Sequence, residues 1–398
     1  MKVLAVIIIA PHMQASGAVN AALGLTHALR KKIAISVALM ANEDSEVVEN
    51  DVKVRKFKCS NYFGFTKSFL PNKFRTLFFK SKIDQYIKEE KFDLVHIHNP
   101  IPTLEMKRVA EMCISQGTPY VVSSHGFNEI IVGKEAYKLN KWYETFAWEN
   151  LIQKPFSFVV QNASKIFALS KYEIDDILTV GVKRENIEIV TNGVNEYYLE
   201  SPTEEEIAKV HAKFILGSSK SIPTFVFLGN HTRNKGIDFL LSSFLKVDTP
   251  FQLIVCGKKR SEIDYGYFES LSDPSRKFIF TDMVDEWEIR ALFAESHFFV
   301  YGTFADTLPL VILEAMSSGL PIIASRIGGI PYQVDELNGF VFEAGNETEF
   351  CNIVSSVSSD INSSSDLGAV SKNKVLDKFL WSKCADQAIL FYEQLIHT

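Results

Sequence analysis

The sequence predicts an α/β protein made of two parallel-sheet domains. Short apolar, strand-like runs alternate with helical patterns along the whole chain, which is typical of parallel sheets covered by helices. At 398 residues the chain is too long for one ordinary hydrophobic core. The alternation also pauses after Asn192 and Gly193, where a polar, charged stretch begins. We therefore expect two Rossmann-like, doubly wound domains that face each other across a cleft.

The predicted strands form two series. The first series is VLAVIIIA, ISVALMA, LVHIH, YVVSS, KIFALS and IEIVT. The second series is PTFVFLGN, FQLIVCG, KFIFTD, HFFVYG, PIIAS and GFVFEA. This pattern predicts an N-terminal domain at 1–196, a linker with one helix at 197–221 and a C-terminal domain at 222–375. A final helix at 376–398 is expected to pack back toward the N-terminal domain.

Composition and charge narrow the functional classes. Hydrophobic residues make up 46% of the chain and charged residues 23%, as in soluble globular proteins. The net charge of −6 argues against broad nucleic-acid binding. The apolar run Val3–Ala10 is too short for a membrane span and is more typical of a buried strand than of a signal peptide. The five cysteines lie far apart and indicate buried thiols in a reducing cytosol.

Several common nucleotide-binding motifs are missing from the sequence. It contains no GxGxxG after a strand, no GxxxxGK[ST] and no DxD. A phosphorylated ligand would therefore be held by cations and helix N-termini. The stretch FLGNHTRNKGID places Arg233 and Lys235 after a predicted strand, where they form either an anion site or a solvated basic turn.

Two acids stand out near the C-terminal end of the second series. Glu314 lies in an otherwise apolar helical stretch, and Asp306 lies eight positions upstream. A carboxylate among aliphatic side chains is expected to be buried, and an unpaired buried charge is costly, so Glu314 needs a hydrogen-bond donor. A glycosidase pair is the alternative, but its carboxyl groups must face each other across a substrate, and a helical Glu with aliphatic neighbours is poorly placed for that.

Together these stretches resemble glycosyltransferase family 4, whose members are retaining, metal-independent enzymes with the GT-B fold. The strongest match is the acid, seven residues, glutamate pattern from Asp306 to Glu314, followed by EAMSSGLPIIAS and IGGIPYQV. Supporting matches are SGAVNAALGLTHALR, LVHIHNP, SSHG, ALSKYEIDDI, IVTNGVN, GNHTRNKG and FLWSKCADQAILFYEQL. The resemblance covers nearly the whole chain. It implies a hexosyltransferase-type enzyme that uses a nucleoside diphosphate sugar as donor and needs no cofactor.

The resemblance also implies roles for residues of the second series. Glu314 would bind the ribose hydroxyls of the donor, and Lys235 would hold its diphosphate. Asp306, with the backbone of Thr307 and Leu308, would contact the donor sugar. Asp306 stands where the family usually has glutamate, so its carboxylate is one methylene closer to the backbone.

Further implied donor contacts come from three other loops. Ser16 and Gly17, where the family has a double glycine, would face the phosphates and sugar. His125 would approach the sugar from the N-terminal domain. Asn230 stands where many members have arginine, and Arg233 offers a cation from a different position.

Two other features of the sequence are not assigned a catalytic role. His96 and His98 lie two apart on one strand, and we interpret them as core or cleft-lining residues because no acid or cysteine completes a metal set. The segment 65–82 interleaves five phenylalanines with five basic residues. It indicates either contact with an anionic membrane surface or a loop and helix packed on the N-terminal domain.

We therefore expect a cytoplasmic glycosyltransferase, at the inner face of the cell membrane, that retains the anomeric configuration. The acceptor would be a glycan or lipid-linked glycan in bacterial-type surface polysaccharide or glycolipid synthesis. Two alternatives stay open. A GT-B nucleotide-sugar epimerase would turn over its donor without an acceptor, and a non-catalytic subunit would bind a nucleotide sugar or glycan without turnover. The substitution at Asn230 favours the second alternative.

Overall fold

The computed structural model describes residues 1–13, 16–61, 77–99, 101–136, 139–214 and 222–397, with the backbone alone at 135, 136 and 363. The chain divides into two compact units. The first unit comprises Met1–Gly193 and Trp381–Thr398, and the second comprises Val194–Leu380. The described part of the expected linker, 197–214, thus lies in the second unit. The chain returns to the first unit at Trp381, five residues later than the predicted start of the final helix.

The first unit is built on a mostly parallel sheet. Its strands are β1 (Lys2–Ile7), β2 (Ala34–Ala41), β3 (Ser45–Glu49), β4 (Val52–Lys58), β5 (Ser60–Asn61), β6 (Phe79–Lys80), β7 (Leu94–His98), β8 (Tyr120–Ser123), β9 (Lys165–Ala168) and β10 (Ile187–Ile189). In the described residues eight of them form one sheet in the order β10-β9-β8-β7-β1-β2-β4-β3, and β5 pairs with β6. The order reverses direction between β1 and β7, which makes this pair a topological switch point.

The hairpin of β3 and β4 was missing from the sequence prediction. β3 pairs antiparallel with β4, and Asn50 and Asp51 join them with φ of 50° and 62°. Positive φ at both central residues is characteristic of a two-residue hairpin turn, and Asn and Asp tolerate it better than most residues. β3 is largely exposed and β4 alternates buried apolar with charged residues, so both lack the continuous apolar runs by which the other strands were recognised.

The sheet of the first unit has an apolar core on each face. Along β1, Leu4 and Val6 belong to one core and Val3 and Ala5 to the other, as the alternation of side chains in a strand requires. Trp381–Ile396 packs on the second of these faces. The α-helices of this unit are Gly17–Arg30, Ile83–Glu90, Thr103–Gln116, Phe127–Ile131, Gly133–Ala136, Trp142–Trp148, Lys154–Asn162, Ile174–Thr179 and Trp381–Ile396.

The second unit is built on an entirely parallel sheet. Its strands are β11 (Thr224–Leu228), β12 (Phe251–Cys256), β13 (Arg276–Asp282), β14 (Phe298–Tyr301), β15 (Ile322–Ser325) and β16 (Gly339–Phe342). The described strands run in the order β13-β12-β11-β14-β15-β16, so the switch point lies between β11 and β14. The helices are Glu204–Phe214, Ile237–Phe244, Tyr265–Ser270, Glu286–Ala294, Leu310–Ser317, Ile330–Gln333, Glu347–Ser359 and Ser363–Lys374.

All twelve strands expected from the sequence are present at the predicted places. In the ranges that the structure describes, no helix has both the length and the apolar composition needed to cross a membrane.

Candidate active site

The switch point of the second unit brings two loops together. The loop after β11 contains Lys235, and the loop after β14 contains Asp306. Asn234 O accepts hydrogen bonds from the backbone N of Phe304 and from Thr303 Oγ1, both at 2.8 Å. Gly236 adopts a φ of 72°, and a Cβ at this position would lie 1.8 Å from the carbonyl oxygen of Gly302. Only glycine permits this approach, so the contact between the two loops depends on it.

Lys235 and Asp306 form an ion pair across these loops. Lys235 Nζ lies 2.5 Å from Asp306 Oδ2, and the hydroxyl of Tyr301 donates to the same oxygen at 2.8 Å. Both charged side chains keep some exposure, 28% for Lys235 and 15% for Asp306. Among the described residues no donor reaches Asp306 Oδ1. The pair can therefore still interact with a ligand.

Two consecutive glycines support the backbone at Asp306 and Thr307. Gly328 has a φ of 51°, and a Cβ there would lie 2.2 Å from the carbonyl oxygen of Asp306. The backbone N of Gly329 donates to Thr307 O at 2.6 Å. Leu308, the next residue, is buried. The segment IGGI thus determines the path of the chain that carries Asp306.

Glu314 lies on the helix Leu310–Ser317, which begins directly after Pro309. The sequence predicts a buried side chain; in the structure the carboxyl group is desolvated as predicted, whereas the residue as a whole is only half-buried. The helical period explains the difference, because Leu313 and Ala315 lie on the buried face while Leu310, Glu314 and Ser318 lie on the other. Desolvation by the surrounding protein, with a smaller contribution from the Glu286 carboxylate, raises the pKa of Glu314 to about 7. No hydrogen-bond donor or cation among the described residues contacts its carboxylate.

Arg233 and Asn230, the other candidates in this unit, are both exposed. Arg233 lines a surface cavity of about 470 Å³ together with Asn234, Asp238, Phe239 and Phe304. It makes no ion pair with any described residue. Lys235 and Arg233 therefore face different surroundings, and only Lys235 contacts one of the two acids.

In the first unit, Ser16 and Gly17 lie where the chain enters the helix Gly17–Arg30 after β1. The side-chain oxygen of Ser16 accepts from the backbone N of Val19 at 3.4 Å, which makes Ser16 the N-cap of the helix. A Cβ on Gly17 would meet no atom within 4 Å. No described contact requires glycine at position 17. The space beside Gly17, at the N-terminus of the helix, is open.

His125 follows β8 and lies among buried histidines. Its ring stacks on His98 with 6.0 Å between centroids, and burial lowers its pKa to about 4, so it is neutral near pH 7. His96 contacts Tyr392 Oη at 2.6 Å and Ser123 Oγ at 2.8 Å, and burial lowers its pKa to about 3. His96 is thus a satisfied core residue, as interpreted from the sequence. His98 Nδ1 is buried without a partner in the described part of the chain.

Sequence reasoning missed a row of buried polar groups at the carboxyl ends of neighbouring strands in the first unit. Glu173 Oε2 accepts from Ser124 Oγ and from Leu169 N, both at 2.7 Å, and burial raises its pKa to about 7. Buried atoms of this row without a partner in the described residues are His98 Nδ1, Asn99 Nδ2 and Oδ1, Ser170 Oγ, Glu173 Oε1 and Thr191 Oγ1. The spacing of Ser170 and Glu173, typical of a capping box, was the signal available in the sequence.

Both units of the chain are similar to known protein families. Residues 15–197 match the family described as Glycosyltransferase Family 4, and residues 222–360 match that described as Glycosyl transferases group 1. The chain is 24% identical to an alpha-maltose-1-phosphate synthase of Mycolicibacterium smegmatis over 70% of this chain and 74% of that one. It is 26% identical to an Escherichia coli UDP-Gal:alpha-D-GlcNAc-diphosphoundecaprenol alpha-1,3-galactosyltransferase over 71% and 70%.

Solved structures share the fold. HepE of Anabaena in complex with UDP-glucose superposes with a TM-score of 0.73 at 16% identity, over 99% of this chain and 100% of that one. The two parallel-sheet units are those of a GT-B protein. Together with the two family matches, they show that this chain is a glycosyltransferase of the family 4 type with the GT-B fold.

Proposed function

We propose that the chain moves a hexose from a nucleoside diphosphate sugar to an acceptor hydroxyl, with retention and without a metal ion. The observation that carries this proposal is the ion pair of Lys235 and Asp306 at the switch point of the second unit, on the loop that leads into the helix of Glu314. A cation, a sugar-facing acid and an unpartnered acid match the three parts of such a donor: diphosphate, sugar and ribose.

Glu314 is the proposed ribose ligand. Its carboxylate is desolvated, yet no described side chain donates to it, so binding two vicinal hydroxyls would supply what the protein does not. Hydrogen bonds to a charged group stabilise by about 1.5 to 3 kcal/mol each. HepE, whose structure holds UDP-glucose, supports a nucleotide sugar as ligand of this fold.

Lys235 is the proposed electrostatic catalyst. When the bond between the anomeric carbon and the diphosphate breaks, negative charge grows on the departing phosphate oxygen. A positioned ammonium group stabilises that charge without transferring a proton. The carboxylate of Asp306 accepts a hydrogen bond from a hydroxyl of the donor sugar. The backbone of Thr307 and Leu308 contacts the same sugar.

The acceptor is proposed to bind at the first unit. The row of unpartnered polar atoms at the ends of β7 to β10 consists of neutral groups and one acid, which suits the hydroxyls of a glycan. The E. coli relative, whose acceptor is diphosphoundecaprenol-linked, supports a lipid-linked glycan. With such an acceptor, the protein would act at the inner face of the cell membrane. The basic, phenylalanine-rich segment proposed to contact the membrane lies outside the described residues from 65 to 76.

Incubation of the protein with a panel of nucleoside diphosphate sugars, with and without free and lipid-linked glycans, tests this function. We expect transfer that requires an acceptor, persists in EDTA and gives a product whose anomeric configuration, read by NMR, equals that of the donor. Donor turnover without an acceptor would favour the epimerase. Binding without any turnover would favour the non-catalytic subunit, and inversion or strict metal dependence would contradict the proposed mechanism.

A further inference from the structure

Tyr301 ends β14 beneath the site and is 1% exposed. Its ring stacks on Phe227 and Phe299, with centroids 5.9 and 6.0 Å apart. Its hydroxyl donates to Asp306 Oδ2 at 2.8 Å. A buried tyrosyl hydroxyl needs a partner, and here the partner is the acid proposed to contact the donor sugar.

The two oxygens of Asp306 are used unequally. Oδ2 receives both Lys235 Nζ and the hydroxyl of Tyr301, whereas Oδ1 receives no donor among the described residues. Two donors on one oxygen oppose rotation of the carboxylate. Oδ1 is therefore the oxygen left to accept a hydrogen bond from a ligand.

The two donors differ once a diphosphate binds. The negative charge of a bound diphosphate competes with Asp306 for the ammonium group of Lys235, which is a long, flexible side chain. Tyr301 cannot follow, because its ring is held between Phe227 and Phe299. In the liganded protein the tyrosyl hydroxyl is then the donor that still holds Oδ2.

We propose that Tyr301 is a positioning residue that orients the carboxylate of Asp306. In this orientation Oδ1 accepts a hydrogen bond from a hydroxyl of the donor sugar after Lys235 binds the diphosphate. This inference rests on the proposed function and deepens it. The donor sugar must then carry a free hydroxyl that reaches Asp306 Oδ1. A deoxy or O-methyl analogue at that position cannot donate this hydrogen bond. Tyr301 acts through Asp306 and does not itself touch the substrate.

The test compares Tyr301→Phe, Asp306→Asn and the double variant with wild type, using UDP and UDP-glucose in calorimetry and the best donor of the panel in kinetics. Tyr120→Phe is the matched control, because that buried hydroxyl donates to Val159 O at 2.7 Å in the first unit. Both substitutions remove one hydroxyl and keep the ring.

We expect Tyr301→Phe to bind UDP within about twofold of wild type and to lower kcat roughly tenfold, the size of one hydrogen bond to a charged group. The affinity that the glucosyl group adds beyond UDP should fall as well. In the Asp306→Asn background Tyr301→Phe should add little. Tyr120→Phe should leave affinity and kcat unchanged, whatever it does to the melting temperature.

Two results would overturn the inference while the proposed function stands: transfer by Tyr301→Phe at the wild-type rate, or costs of Tyr301→Phe and Asp306→Asn that multiply in the double variant. A merely structural tyrosine would behave in the second way. If wild type binds the donor but transfers nothing, the proposed function fails. The sugar-dependent affinity difference then still decides whether Tyr301 acts through Asp306.

Discussion

Glu173 in the first unit and Glu314 in the second have pKa values raised to about 7, with burial as the main cause in both. Their surroundings differ. Glu173 is 2% exposed, and Ser124 and Leu169 donate to one of its oxygens. Glu314 is half-buried and has no donor among the described residues. The same pKa shift thus arises at an acid of which the protein satisfies one oxygen and in a site that it leaves open.

A raised pKa alone therefore does not mark a ligand-binding acid. Glu173 holds the backbone at the end of β9 and has a structural reason to be where it is. Glu314 has no such reason in the free protein, since replacing it by an apolar residue would cost no described contact. The absence of any described donor to either oxygen, rather than the shifted pKa, is what indicates a ligand at Glu314.

The largest expected effect concerns the cation of the open site. Lys235→Ala should lower turnover by at least ~100-fold, the scale of losing one preorganised charge-stabilising group. Lys246→Ala is the matched control, because Lys246 also forms an ion pair in the second unit, with Glu347 at 2.6 Å, but on the exposed surface. Steady-state kinetics of both variants measures the difference. Equal activity of the two variants would remove Lys235 from the mechanism.

A smaller effect is expected when the two glutamates are compared directly. Glu314→Gln should weaken binding of a nucleoside diphosphate roughly tenfold or more, because charge-assisted hydrogen bonds to the ribose become neutral ones. Glu173→Gln should leave that affinity unchanged. Asp306→Asn should also leave it nearly unchanged while lowering transfer, since the nucleotide lacks the sugar. Calorimetric titration decides, and equal losses at Glu314 and Asp306 would show that their roles are wrongly assigned.

The smallest expected effect is on stability as a function of pH. The pKa of Glu314 is raised in the folded protein, so the native state holds its proton more tightly and the free energy of unfolding falls as pH rises from about 4.5 to about 7. Without ligand, Glu314→Gln should therefore melt higher than wild type at pH 8, with the difference shrinking toward pH 5.

Adding the nucleotide should change the melting difference at Glu314 but not at Glu173. Saturating nucleoside diphosphate should abolish the stability gain of Glu314→Gln, because the ribose hydroxyls then satisfy the wild-type carboxylate. The melting difference between Glu173→Gln and wild type should not respond to the nucleotide. Scanning calorimetry at pH 5 and pH 8 measures both. The same response to nucleotide at both positions would end the distinction.

Much of the fold was predictable from local pattern. Each of the twelve expected strands is a short apolar run, and a run of this kind is buried in a parallel sheet whatever its neighbours are. The edge strand β3 and its neighbour β4 escaped prediction because neither is a continuous apolar run: β3 is largely exposed, and β4 alternates buried apolar with charged residues.

The candidate site was predictable in part. The residue types at the ends of the strands can be read from the sequence, and they place Lys235, Asp306 and Glu314 in one unit. The mainly apolar character of the helix of Glu314 can be read in the same way, because composition and helical period are properties of neighbouring residues.

The pairing of those residues depends on tertiary contacts. The ion pair of Lys235 and Asp306 joins positions 71 apart in the chain, and it exists because β11 and β14 are adjacent in the sheet. Tyr301, which reads as one more apolar strand residue, lies only five positions before Asp306, and its hydrogen bond depends on how the loop after β14 folds back toward the end of that strand. Hydrogen bonds depend on distances of a few ångströms between distant segments, whereas periodicity records only which side of its own element a residue occupies.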